Sequence, residues 1–408
     1  MSVAEPEVAS FGCRLNLVEG EAIGRLLAGR DVAVVNTCGV TNEAVRQARQ
    51  AIRRLRRERP SRAIFVTGCA AEMERETFAG MPEIDGLVPN GLKTQPGAWA
   101  LPSPTPRQSA DEKPSPLEES TASTRAFLAI QNGCDHACTF CAIPRGRGAA
   151  RSAPTADVVA RAESLVARGF AEIVLTGVDL TSWGGDLPER PRLGALVRAI
   201  LREVPALRRL RLSSIDCIET DADLLAAFAE EPRLMPYLHL SLQSGDDLVL
   251  KRMKRRHSRA EAVAVCATLR RLRPDMAFGA DLIAGFPTET EAMAASTRAL
   301  VEDCGLAYLH VFPFSPRPGT PAARMPQVAP ALVRERAARL REAGDAALRR
   351  HLAARRGQVL PVLVERGGRG HAPDFSPVAT GALPPGRVVP MTITGDDGRR
   401  LIGTAHHV

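Results

Sequence analysis

The sequence predicts an α/β chain in three parts: an N-terminal parallel α/β domain, a central partial (β/α)6 barrel and a small C-terminal all-β module. Three observations predict this. Short strand-like runs alternate with helical patterns, three times near the N-terminus, where the runs are apolar and rich in β-branched residues, and six times from Arg125 to Phe314, the signature of parallel strands with helices outside. A stretch rich in Pro, Ser and Thr, Thr94 to Thr124, interrupts the alternation and reads as a linker. After an Arg-, Ala- and Leu-rich helix from Ala329 to Arg356, the pattern changes to strand-like runs, with a hairpin signal at Asp396-Asp397-Gly398. The expected domains are 1–93, a linker at 94–124, then 125–354 and 355–408.

In the first part, Val8–Gly12 leads to Cys13, Val32–Thr37 to Cys38 and Ala63–Gly68 to Cys69. The carboxyl ends of parallel strands share one edge, where ligands bind. The three cysteines are therefore expected to converge, although far apart in sequence. Between the last two lies Arg46–Arg59, with Ala48, Ile52 and Leu55 on one helical face and Arg46, Arg49, Arg53, Arg56 and Arg57 elsewhere. This is either a solvated helix face or a surface for RNA phosphates.

The barrel strands are expected at Arg125–Gln131, Glu172–Gly177, Arg209–Ser214, Tyr237–Gln243, Ala277–Ala284 and Ala307–Phe314. Only six βα units fit before Pro318, so the barrel is partial. The first strand feeds a C-x3-C-x2-C loop of Cys134, Cys138 and Cys141. A [4Fe–4S] cluster normally takes four Cys ligands, so three local thiolates leave one iron open. An open position on a metal is where a substrate or cofactor binds. A structural zinc would want a fourth Cys or His nearby, and His136, beside Asp135, reads as solvent-facing. The other strand ends are small or polar, and Gly177, Asp179, Ser214 and Gln243 are candidate contacts to a cofactor's carboxylate, amine or ribose. Cys217, Cys266 and Cys304 read as structural.

The chain carries 54 Lys and Arg against 46 Asp and Glu, a net charge of +8 that favours a polyanionic partner. Aromatics are only 4%, so nucleic-acid contact would rest on phosphates more than on stacking. Nine cysteines, clustered rather than paired, fit metal ligation better than disulfides. No apolar run is long enough to span a bilayer and no signal peptide opens the chain, so a cytoplasmic protein without membrane contact is expected.

The C-x3-C-x2-C loop on strand one of a partial barrel resembles the radical S-adenosylmethionine superfamily. Phe11-Gly12-Cys13-Arg14-Leu15-Asn16, Asn36-Thr37-Cys38-Gly39-Val40-Thr41 and Gly68-Cys69-Ala70 extend the resemblance to its methylthiotransferases. Gln131–His136, Ile143-Pro144-Arg145-Gly146-Arg147-Gly148 and Arg151-Ser152 look most like those acting on threonylcarbamoyladenosine in tRNA. The resemblance implies two [4Fe–4S] clusters, one on Cys134, Cys138 and Cys141 that binds S-adenosylmethionine, and an auxiliary one on Cys13, Cys38 and Cys69. It also implies a cofactor contact from Phe140, a TRAM-like RNA-binding module at the C-terminus, and an electron donor such as flavodoxin or ferredoxin. The implied reaction adds a methylthio group at carbon 2 of the modified adenosine. Alternatives are an isopentenyladenosine tRNA, a ribosomal protein, or a non-catalytic RNA-binding role with one cluster. Two features depart from the family pattern: a short interval from Cys13 to Cys38, and a short last module whose first turn, Glu365–Gly370, is rich in Gly and Arg.

Overall fold

The computed structural model describes residues 5–99, 117–121 and 123–406. In chain order the first elements are β1 (Glu7–Ser10), α1 (Arg14–Leu26), β2 (Val32–Thr37), α2 (Asn42–Glu58), β3 (Ala63–Gly68), α3 (Cys69–Met73), α4 (Arg75–Ala79) and β4 (Gly86–Leu87). They are followed by β5 (Glu119–Ser120), β6 (Ala126–Ala129), β7 (Gln131–Asn132), α5 (Ile143–Arg147), β8 (Arg151–Ser152), α6 (Thr155–Ala167) and β9 (Glu172–Thr176). Next come α7 (Leu193–Glu203), β10 (Arg209–Leu212), β11 (Ser214–Ile215), α8 (Ala222–Glu230), β12 (Tyr237–Gln243), α9 (Asp247–Met253) and α10 (Arg259–Leu272). The chain then forms β13 (Ala277–Ala284), α11 (Glu291–Asp303), β14 (Leu306–Pro313) and α12 (Pro330–Ala353). It ends in β15 (Val359–Glu365), β16 (Arg369–His371), β17 (Pro377–Ala379), β18 (Val388–Asp396) and β19 (Leu401–Ala405).

Two compact units result. The first comprises 1–122, 131–151 and 315–323; the second comprises 123–130, 152–314 and 324–408. The loop of Cys134, Cys138 and Cys141 thus belongs to the same unit as the N-terminal cysteines.

The first unit holds a parallel sheet in the order β1-β2-β3-β4. Its central strands alternate between two buried faces, as parallel sheets do. Ala33 and Val35 pack with Val45, Ala48, Ile52 and Leu55 of α2, whereas Val32 and Val34 pack with Ile23, Leu27 and Trp99. Thr41 caps α2 by accepting the Ala44 N–H at 3.1 Å. The interval from Cys13 to Cys38 is short, yet it contains the whole of α1 and β2, so no βα unit is lost. The start of the expected linker is ordered core: Trp99 is buried and meets Phe65 edge-on at 5.8 Å. Most of that stretch, 100–116 and 122, lies outside the described residues.

The second unit holds the partial barrel. β6, β9 and β10 pair in parallel, and β11, β12, β13 and β14 continue it in parallel. Six strands are thereby formed, the third interrupted at Ser213 between β10 and β11. Strands β15 to β19 close a small antiparallel-rich barrel in the order β15-β16-β17-β19-β18. Its core is Val362, Val378, Met391, Ile393 and Leu401, with Leu352 of α12. The glycine-rich turn of β15 and β16 puts Gly367 at φ +77° and Gly368 at +69°, the left-handed geometry of a tight hairpin.

The segment Phe375–Val378 departs from its expected strand. Only Pro377 onward is strand, because Phe375, at φ +69°, is turned into the barrel. There its ring stacks between Tyr237 (4.8 Å) and His371 (4.6 Å), beneath the guanidiniums of Arg125 and Arg211. Glu172, fully buried, takes Arg211 at 2.9 Å with Arg209 at 3.6 Å and Arg125 at 3.9 Å; Arg125 also holds Glu365 at 2.7 Å. The amino-terminal ends of the barrel strands are closed by this plug, leaving the carboxyl ends for ligands.

Candidate functional site

Each N-terminal cysteine follows a strand. Cys13 comes after β1, Cys38 directly after β2, and Cys69 opens α3 directly after β3. Because the strands are parallel and in register, with Ser10 opposite Asn36 and Thr37 opposite Gly68, the three cysteines stand at one sheet edge, with Cys13 and Cys69 near enough to act on the Cys38 thiol. Gly12 sits at φ +85°, and a Cβ there would overlap the Cys38 sulfur, so only glycine permits this approach.

The loop with Cys134, Cys138 and Cys141 is folded by its own backbone: Cys134 N–H donates to Gly148 O at 3.2 Å and Cys141 N–H to Cys138 O at 3.1 Å. Ala322 N–H donates to Thr139 O at 3.0 Å, and Ile143 N–H points at the Cys141 sulfur at 3.4 Å. All three thiols are half-buried. Helix α5 then carries the chain to the other triad. A Cβ on Gly146 would come within 3.0 Å of the Cys69 Cβ, and Asn90 donates to the Gly146 carbonyl while lying 3.7 Å from the Cys69 sulfur.

At the end of α5, Arg147 is buried against the first triad. It donates to Glu19 (2.9 and 3.1 Å), Asn132 (2.9 Å) and Asn16 (2.6 Å), with the Cys13 sulfur at 3.9 Å. Lys93, also buried, holds Glu19 at 2.6 Å and Asn36 at 3.1 Å. Burial alone would raise the Glu19 pKa, but Arg147 and Lys93 hold it at about 2. Two buried cations against one carboxylate leave one positive charge beside three thiols. Burial, with Cys13 and Cys69 nearby, pushes the Cys38 thiol up to about 11. Metal coordination removes such a proton outright. The donor set and the excess positive charge therefore fit an anionic iron–sulfur group.

In the second unit, Gly177 and Asp179 follow β9, Ser214 opens β11 and Gln243 ends β12, all at carboxyl ends of barrel strands. Asp179 is tied locally, accepting from Ser182 Oγ at 2.6 Å and Thr181 Oγ1 at 3.3 Å. Gln243 lies at φ +66°, where the β12–β13 register shifts. Phe140 belongs to the other unit, within the cysteine loop. Cys217 is buried, pushed up to about 12 by burial and by Asp216, and so is a poor nucleophile. Cys266 and Cys304 are fully buried.

A family profile described as the Radical SAM superfamily matches residues 128–301, and one described as Uncharacterized protein family UPF0004 matches 6–89. The chain is 46% identical over 380 residues, 91% of its length and 90% of the relative's, to "Threonylcarbamoyladenosine tRNA methylthiotransferase MtaB" of Rickettsia prowazekii (strain Madrid E). The chain belongs to the radical S-adenosylmethionine methylthiotransferase family. It is also 37% identical, over 89% of its length and 87% of the relative's, to a "tRNA-2-methylthio-N(6)-dimethylallyladenosine synthase" of Novosphingobium aromaticivorans. Among solved structures, the radical S-adenosylmethionine methyltransferase TsrM from Kitasatospora setae superposes with a TM-score of 0.51 at 15% identity, covering 72% of this chain and 66% of that one. That likeness shows the fold.

As a radical S-adenosylmethionine methylthiotransferase, the protein is an enzyme that uses S-adenosylmethionine and a [4Fe–4S] cluster. Sequence reasoning did not single out Glu19, Asn90, Lys93 or Arg147. The signal was there for Arg147, a glycine-flanked arginine six residues past the last cysteine of the loop, in a motif used only for its likeness to relatives. Nothing local in sequence marks Lys93 or Glu19.

Proposed function

We propose that the enzyme adds a methylthio group at carbon 2 of N6-threonylcarbamoyladenosine in tRNA, with Cys134, Cys138 and Cys141 holding one [4Fe–4S] cluster and Cys13, Cys38 and Cys69 a second. The observation that carries this reading is the packing of both thiol sets in one unit, joined by α5, with Arg147 buried beside Cys13. Bound there, the clusters supply one-electron cleavage of S-adenosylmethionine and a source of sulfur, chemistry that opens a C–H bond too weakly acidic for proton transfer. The chain's own part is to hold and orient. Asn90 and Gly12 set the approach of the two loops around Cys69 and Cys38, and Arg147 with Lys93 balances charge. Phe140, Gly177, Asp179, Ser214 and Gln243 are proposed to contact S-adenosylmethionine.

The choice of threonylcarbamoyladenosine rests on the 46% identity to the Rickettsia relative against 37% to the dimethylallyladenosine synthase. For tRNA docking, most arginines of α2 have internal partners: Arg46 holds Glu43, Arg49 Glu74, Arg53 Glu83, Arg54 Glu58 and Arg56 Asp85. Arg53, Arg54 and Arg57 still line an open groove with Phe11, Gln47 and Gln50, suited to phosphates. Partners are tRNA and an electron donor of the flavodoxin or ferredoxin kind. Among the described residues no helix is long and apolar enough to cross a membrane.

Two measurements test the reading. Anaerobic reconstitution is expected to give about eight irons per chain, and about four when Cys13, Cys38 and Cys69 are all replaced by Ala. Nucleoside mass spectrometry of tRNA from a deletion strain is expected to lack methylthio-threonylcarbamoyladenosine; an unchanged level rejects the substrate.

A further inference from the structure

On the inner face of the barrel's last three strands, Tyr237 and His239 of β12, Asp281 of β13 and His310 of β14 form a chain that no step above uses. Tyr237 Oη lies 3.1 Å from His239 Nδ1; His239 Nε2 lies 2.9 Å, and His310 Nδ1 3.1 Å, from the same oxygen, Oδ1 of Asp281. The two imidazoles overlap at 4.5 Å. The inner face follows from strand alternation. Leu309 meets Gly344 of the outer helix α12, so Tyr308, His310 and Phe312 face the other way. Gly279 leaves the room required: a Cβ there would come within 2.6 Å of His239 Nδ1.

The hydrogen bonds distinguish the two imidazoles. Asp281 is an ionised acceptor; burial would raise its pKa, yet His239 and His310 hold it at about 2. Both rings must then donate to it, His239 through Nε2 and His310 through Nδ1. His239 Nδ1 lies against the Tyr237 hydroxyl, so both nitrogens of that ring are already occupied. His310 has Nε2 left for a ligand. Its side chain is 64% exposed, against 7% for His239, so that nitrogen is open to an approaching group. An imidazolium at His310, with Asp281 on one nitrogen, presents an N–H to a second anion on the other. Two residues on, towards the carboxyl ends of the strands, the Phe312 ring is 37% exposed on the same face.

We propose that His310, oriented by Asp281, binds the carboxylate of the threonylcarbamoyl group, and that Phe312 provides the face for the planar base. This deepens the substrate reading above and rests on it. A dimethylallyl group has no charge for such a site to meet, so His310 is a specificity-determining residue for the threonylcarbamoyl substrate. His239 and Tyr237 are positioning residues that hold Asp281.

The test is binding of anticodon stem-loop RNA to the reconstituted full-length protein, followed by fluorescence anisotropy. Three RNAs are compared, carrying threonylcarbamoyladenosine, its methyl ester, or plain adenosine. Wild type is expected to prefer the free acid over the ester by about tenfold, as for a hydrogen bond to a charged group. His310→Phe is expected to bind acid and ester equally while keeping wild-type affinity for plain RNA. Asp281→Asn is expected to lower the preference several-fold, and Phe312→Leu to weaken all three RNAs together without changing the preference. A preference that survives in His310→Phe, with the methylthiolated product still formed by wild type, rejects this role for His310 and leaves the substrate assignment standing. No preference in wild type, with no product from the acid form, rejects both. Because two His and one Asp can also hold a divalent metal, each protein is titrated with Zn2+. Equimolar binding that is lost in His310→Ala overturns the proposal in favour of a metal site.

Discussion

The guanidinium of Arg147 lies 3.9 Å from the sulfur of Cys13 and 2.6 Å from the side-chain oxygen of Asn16. One residue thus connects the segment after the Cys134–Cys141 loop to the start of α1. Replacing it with Met leaves Glu19 facing Lys93 alone and removes the positive charge beside Cys13. We expect Arg147→Met to lose about 3 kcal/mol of stability, the usual cost of breaking a buried charge network from one side. The reduction potential of the proposed second cluster should also fall, since each 1.4 kcal/mol of lost favourable interaction with the extra electron is about 60 mV for a one-electron couple. Arg147→Lys, which keeps the charge and loses the fork, should lie between. Denaturant titration and a redox titration followed by electron paramagnetic resonance check both; an unchanged potential in Arg147→Met removes the electrostatic role.

Gly12 carries a positive φ and faces the Cys38 sulfur with no room for a methyl group. Gly12→Ala is expected to hold only the iron of the Cys134–Cys141 loop, about four per chain. Gly29 has a similar φ of +82° with nothing nearby, so Gly29→Ala should cost about 1 kcal/mol and keep all the iron. Equal iron in the two variants would contradict the proposed site at Cys38.

Glu172 gives the second unit a pH dependence. Burial would raise its pKa, but Arg211, Arg125 and Arg209 lower it from 4.5 to about 2. A carboxylate lowered on folding stabilises the folded state above its unfolded pKa, and the contribution is lost as pH falls towards the folded value. The stabilisation, on the order of 3 kcal/mol, should therefore be present above pH 5 and disappear between about pH 4.5 and 2. Glu172→Gln should flatten that part of the stability-versus-pH curve and lower stability at pH 7.

Phe375 ties the small C-terminal barrel to the partial barrel through Tyr237 and His371. Phe375→Ala removes a ring under two guanidiniums and is expected to cost about 3–5 kcal/mol. Thermal unfolding is the measurement. Because the ring belongs to the second unit and every proposed cluster ligand to the first, iron content should not change.

The residues that carry chemistry were legible in the sequence to unequal degrees. The strand positions were close to those found, for instance β12 at Tyr237–Gln243 and β13 at Ala277–Ala284, because a buried parallel strand reads as a short, mostly apolar run between helical patterns. The convergence of Cys13, Cys38 and Cys69 followed from the same reasoning, since equal strand ends in a parallel sheet meet whatever the loop lengths. The aromatic plug was misjudged for a physical reason. Phe375-Ser376-Pro377-Val378 looks like a strand by composition, and only the packing of Phe375 under Arg125 and Arg211 holds its backbone at positive φ.

By itself, then, the sequence determined the fold class and the family, because strand periodicity and the short C-x3-C-x2-C spacing are local properties. The tertiary structure alone decided which charges stand beside the thiols and which of two neighbouring imidazoles stays exposed. Glu19, Lys93 and Arg147, like His239, Asp281 and His310, come from separate elements, and their partners are fixed only when burial removes water as an alternative.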